Sequence, residues 1–108
     1  MVRQINVQQL AERLADGQAV YLLDVRQPQE HETAALPDSY LIPLGELPGR
    51  ADEIRPPDDA LVVVYCHHGI RSLSGAAILE QLGFTKVVSL GGGIDAWSLH
   101  VDPTVPRY

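Results

Sequence analysis

Two patterns of apolar positions alternate along the chain. Val7, Leu10 and Leu14 recur at helical spacing, with Asn6 placed to cap the start, Gln9 three residues on and Gly17 to stop it. The segment 19–25 is instead a nearly continuous apolar run of strand length, as expected for a strand covered on both faces in a parallel sheet. Leu61-Val62-Val63-Val64-Tyr65 repeats that run with β-branched residues, and Lys86 to Leu90 reads as a third strand. Three stretches between and after these strands read as helices. Residues 48–54 have Pro48 near the first turn and Leu47, Ala51 and Ile54 on one face. Residues 72–82 turn Leu73, Ala76, Ala77 and Leu82 inward and end at Gly83, and residues 94–99 form a short final helix. Pro28, Pro37 and Pro43 punctuate residues 27–43, leaving only 30–35 for a short helix. Gly91-Gly92-Gly93 reads as a tight turn, and the tail after Val101 has two prolines and no period.

Strands alternating with helices predict an α/β fold, a mostly parallel central sheet with helices on both faces. With 108 residues and no repeat, the chain is expected to form one domain over residues 1–108. Such a domain buries roughly two thirds of its unfolded surface. Ligands of such sheets bind beyond the carboxyl ends of the strands. That rule marks the residues after Val25 and those after Tyr65.

Charge and cysteine content narrow the function classes. Eight Lys and Arg against 14 Asp and Glu give a net charge of −6, which argues against a nucleic-acid partner. The single cysteine excludes an intrachain disulfide and a Cys-rich zinc module. No apolar run approaches the ~20 residues of a membrane span. The start MVRQINVQQLAERL is too polar for a secretory signal, so a cytoplasmic location is expected.

The lone cysteine stands in Cys66-His67-His68-Gly69-Ile70-Arg71-Ser72, between a strand and a helix. Backbone amides in such a loop can converge on an anion, and the helix start adds positive potential. Gly69 permits a backbone angle that a side chain resists. Arg71 is the only formally charged residue from Ala60 to Leu79, and a cation there favours the thiolate. Cysteine is often simply buried and inert, but this setting points to a nucleophile. His67 and His68 read as loop side chains that shape access. Immediate neighbours converge poorly on one tetrahedral ion, so neither a metal nor another cofactor is expected.

The segment from Tyr65 to Ser72 resembles the active-site loop of rhodanese-family sulfurtransferases. Three flanking segments fit the same family in order: Leu23-Asp24-Val25-Arg26 with Pro28 and Glu30, then Ile42-Pro43-Leu44, then Leu90 to Trp97. The ending from Trp97 to Tyr108 resembles the rhodanese domains fused to ubiquitin-like-protein adenylyltransferases, a domain that would here stand alone. His31 departs from the family's usual aromatic, and Ala34 to Ser39 departs from its Gly-His-Ile-Pro-Gly-Ala turn.

The resemblance implies a rhodanese-like fold and a sulfurtransferase in which Cys66 takes sulfane sulfur from thiosulfate or a similar small anionic donor. An enzyme persulfide then yields that sulfur to cyanide, a thiol or a sulfur-carrier protein. His67, His68, Gly69, Ile70 and Arg71 would bind donor and persulfide, with Arg71 holding the donor's charge. Asp24 and Arg26 would either line the cleft or form an ion pair that fixes the loop. Trp97 reads as core.

Two alternatives remain at this point. One is a non-catalytic or carrier-type rhodanese module, although scaffolds of that kind typically lack the cysteine. The other is a cysteine phosphatase or arsenate reductase of the related fold. Those enzymes place five residues between Cys and Arg where this chain has four, and the loop here has no carboxylic acid to protonate a leaving group. The oligomeric state and the physiological donor are not legible in the sequence.

Overall fold

The computed structural model describes residues 2–108. Its centre is a five-stranded, wholly parallel sheet: β1 (Gln4–Ile5), β2 (Val20–Asp24), β3 (Tyr40–Leu41), β4 (Leu61–Tyr65) and β5 (Val87–Leu90), in the order β1-β5-β4-β2-β3. The α/β class and parallel sheet agree with the alternation of patterns, but two strands go beyond it. The edge strands β1 and β3 have two residues each, too short for any period to register.

Four helices lie between successive strands, α1 (Val7–Ala15), α2 (Pro28–Thr33), α3 (Leu47–Arg50) and α4 (Ile70–Gln81), and α5 (Gly93–His100) follows β5. The Asn6 side chain accepts from the Gln9 amide and the Gln9 side chain accepts from the Asn6 amide, both at 2.8 Å. This closes α1 with the reciprocal cap its spacing suggests. The helix expected over 48–54 divides into α3 and a 3-10 turn, Ala51–Glu53.

Successive residues of the central strands face opposite layers. Leu22, Leu61, Val63 and Tyr65 pack with Val7, Leu10, Ile94 and Trp97 beneath α1 and α5. Leu23, Val62, Val64 and Cys66 pack with Leu47, Ala76 and Leu79 beneath α3 and α4. A Cβ added at Gly75 would lie 3.1 Å from Val64 and 3.3 Å from Val25, so the missing side chain lets α4 seat closely on β4 and the end of β2. Among the described residues, no helix is long and apolar enough to cross a membrane.

Candidate active site

Cys66 follows the last residue of β4 and is 1% exposed. Its environment follows from how α4 begins. Gly69, in a left-handed conformation with φ of +100°, occupies the cap position, has no side chain to offer, and is followed by a first turn without an acid. The first amides of a helix need acceptors from outside the helix. Here the sulfur supplies one: Cys66 Sγ accepts from the Ser72 amide at 3.3 Å and from the Gly69 amide at 3.1 Å. The thiol itself donates to Ser72 Oγ at 3.5 Å, and that hydroxyl pairs with Ser89 Oγ of β5 at 2.7 Å. The arrangement rewards negative charge on sulfur, because amide donors bind an anion more strongly than a neutral acceptor.

The loop is held from behind by the glycine turn. The amides of Ile94 and Asp95 donate to the carbonyls of Cys66 and His67 at 2.9 and 3.1 Å. Gly93 has φ of +59°, and a Cβ there would run into those same two carbonyls. Gly91 and Gly92 form a tight turn and Gly93 opens α5 against the cysteine loop.

Arg71 lies in the first turn of α4, but its guanidinium is not free. Nη1 and Nη2 fork onto Oε1 and Oε2 of Glu30 at 2.7 and 2.9 Å, pushing the Glu30 carboxyl down to about 2. Glu30 comes from α2, after β2, and its Oε2 also accepts from the Tyr108 hydroxyl at 2.8 Å. That hydroxyl accepts in turn from Arg26 Nη1 at 2.6 Å, while the Tyr108 ring stacks on His67 with centroids 4.0 Å apart. Partial burial, with the neighbouring His68 adding to it, pushes the His67 imidazole below its ordinary value, which favours the neutral ring.

Asp24 and Arg26 do not line a cleft. Both side chains are fully buried and form a forked pair, Nε to Oδ1 at 2.8 Å and Nη2 to Oδ2 at 2.6 Å. Arg26 also donates to the Ala34 carbonyl, and His31 Nδ1 lies 2.8 Å from Asp24 Oδ2. Burial opposes the Arg26 charge, and the bonds to Asp24 and Tyr108, together with the attraction of Asp24, more than offset it. The pair is an internal strut, which replaces the cleft-lining expectation. The unusual turn 34–39 is absorbed locally: Ser39 Oγ bonds the Tyr65 hydroxyl at 2.8 Å and the Leu36 carbonyl at 2.7 Å.

The loop residues expected to bind donor and persulfide are brought together only in part. The Gly69 amide reaches the sulfur, and Ile70 supplies another first-turn amide but exposes its side chain. His67 and His68 stack on each other with ring centroids 4.0 Å apart. Their ring nitrogens and an Asp95 oxygen lie within 4.8 Å of one another, a convergence that the chain spacing did not suggest. Asp95 is already held by Arg107 at 2.9 Å. Sequence reasoning missed Glu30, Ser89, Asp95, Arg107 and Tyr108 as neighbours of the site. Only Glu30 carried a signal, as an acid in the first turn of a proline-started helix just beyond a strand end.

Comparison with known proteins places this arrangement in context. The model of the rhodanese-like domain matches residues 6–100. A sulfurtransferase of Allochromatium vinosum is 42% identical over 105 residues, covering 97% of this chain and 96% of that protein. An adenylyltransferase and sulfurtransferase of Ogataea parapolymorpha is 33% identical over 97 residues, and the matched region spans 25% of its length. Among solved structures, a rhodanese-related protein from Thermoplasma volcanium superposes with a TM-score of 0.82 at 33% identity, over 98% of this chain and 99% of that one.

Proposed function

The chain belongs to the rhodanese-like domain family, a family with sulfurtransferases among its members, and on that premise we propose that Cys66 carries sulfane sulfur as a persulfide. The observation that carries this reading is the sulfur's place at the start of α4, where the Gly69 and Ser72 amides converge on it. A nucleophile of this kind splits the transfer into two half-reactions.

In the first, the Cys66 thiolate attacks the outer sulfur of the donor. The new bond is Sγ–S, and the bond from that sulfur to the rest of the donor breaks with its electron pair. Thiosulfate would leave as sulfite, and a thiol persulfide would leave as the thiolate. The resting thiol donates to Ser72 Oγ, itself paired with Ser89 Oγ; the attacking thiolate forms when that proton is given up to water. In the second half-reaction an acceptor nucleophile, such as cyanide, a thiolate or a sulfur-carrier protein, takes the outer sulfur and regenerates the Cys66 thiolate. First-turn amides of α4, including those of Ile70 and Arg71, have no partner within the helix and suit a terminal sulfur anion. With one cysteine in the chain, release depends on an outside acceptor. A sulfur-carrier protein as that acceptor is supported by the match to part of an adenylyltransferase and sulfurtransferase.

Intact mass after incubation with thiosulfate, and separately with cysteine persulfide, tests the reading. Reduced wild type should gain one sulfur from at least one donor, and Cys66→Ser should gain none. Absence of the adduct with both donors would refute a persulfide enzyme and favour the binding-module alternative.

A further inference from the structure

The cysteine loop has no unpaired guanidinium beside it for an anionic donor. Three guanidiniums and three carboxylates surround it, and each is taken: Arg26 by Asp24, Arg71 by Glu30 and Arg107 by Asp95. Arg26 is fully buried, and partial burial of His67 disfavours a charge on its ring. Arg71 has a side chain 37% exposed, but both terminal nitrogens of its fork are occupied by a carboxylate that is itself only 20% exposed and braced by Tyr108.

We propose that Glu30 sets the donor class of this site: by holding Arg71 it disfavours a dianion such as thiosulfate and leaves a mouth suited to a persulfide borne on a thiol. The inference rests on the sulfurtransferase reading and deepens it. A dianion would have to give up hydration, and a paired guanidinium returns little in exchange. The chain's net charge of −6 adds no attraction at longer range. A thiol persulfide presents one reacting sulfur and at most one charge there, which the amides at the start of α4 can take without Arg71. Its transfer is balanced: Cys66 thiolate and R–S–SH give Cys66–S–SH and the thiolate of R. On this proposal Arg71, paired with Glu30, does not hold the charge of a small anionic donor.

The test is the second-order rate of Cys66 persulfide formation, followed by quenched-flow mass spectrometry with thiosulfate and with cysteine persulfide. Wild type should load faster from the persulfide. Glu30→Gln, which frees Arg71, should shift the ratio of the two rates toward thiosulfate by about tenfold or more, the scale on which a charged cleft raises association. Glu30→Asp, which keeps the charge, should stay near the wild-type ratio. Wild type alone gives a second readout: its thiosulfate rate should stay flat or rise with added salt, whereas a free cation would make it fall. A wild type that prefers thiosulfate, a thiosulfate rate that drops steeply with salt, or a ratio unchanged in Glu30→Gln overturns this inference and leaves the persulfide reading standing. A wild type loaded by neither donor overturns both.

Discussion

Asp24→Asn removes the charge that balances a fully buried guanidinium. Asp24 accepts from the Arg26 amide at 3.0 Å and from its Nε and Nη2 at 2.8 and 2.6 Å, with His31 at 2.8 Å on the second oxygen. An amide in that place turns one of the two acceptors into a donor facing other donors. Arg26 is left with the Ala34 carbonyl and the Tyr108 hydroxyl as close partners. Breaking a buried pair on one side costs about 3–5 kcal/mol, a large share of the 5–15 kcal/mol typical of a domain. The urea midpoint should fall accordingly with an unchanged slope, and Tm should drop by about 12–20 °C. The double variant Asp24→Asn with Arg26→Met removes the stranded charge as well and should be more stable than Asp24→Asn alone, even though the Ala34 carbonyl loses its donor. A loss below about 1 kcal/mol in Asp24→Asn, or strictly additive effects in the pair, would refute the role of the pair as a strut.

Two further outcomes follow from the same geometry. Gly93→Ala combines a positive φ with a collision against the Cys66 and His67 carbonyls, so it should cost about 2–4 kcal/mol in urea unfolding. Gly17→Ala, at φ of +71° with open space around it, should cost only about 1 kcal/mol; equal costs would show that the glycine turn does not hold the loop. Because hydrogen bonding to Arg71 depresses Glu30 to about 2 from an ordinary 4.5, its contribution is present above the ordinary value and is lost as pH falls through the folded one. The stability lead of wild type over Glu30→Gln at pH 6 should therefore shrink between pH 5 and 2, and a lead that stays constant to pH 2 contradicts the ion pair.

The fold was legible wherever a segment was long enough to carry a period. The β-branched run 61–65 and the capped helix after Asn6 stand where their patterns put them. The edge strands were not legible, because two residues have no alternation and their pairing depends on β5 and β2 already being in place. The helix at 47–50 breaks early, with Pro48 and Gly49 inside a four-residue span. The same limit divides the site. Cys66, Gly69 and Ser72 lie within seven residues, so the strand-to-helix loop could be read directly from the chain. The side chains that set its charge come from far away in sequence: Glu30 meets Arg71 across 41 positions, and Tyr108 meets Glu30 across 78. No spacing rule reaches such pairs. The lone positive charge read between Ala60 and Leu79 was therefore correct as sequence and incomplete as electrostatics.

The separation between amides and guanidinium explains how an acid can sit beside this loop without quenching its nucleophile. An Asp or Ser at the cap position would accept the Ser72 amide, the ordinary way to satisfy a helix start. It would then displace the sulfur from its donors. The chain places glycine there and keeps acids out of the first turn of α4, so the amides remain for Cys66. The carboxylate arrives instead from α2 and meets only the far end of the Arg71 side chain. Glu30 can thus cancel the charge that a dianionic donor would seek while leaving the hydrogen bonds to sulfur in place. Donor choice and nucleophile activation are then set by different groups, and Glu30→Gln should change the first while the Gly69 and Ser72 amides continue to serve the second.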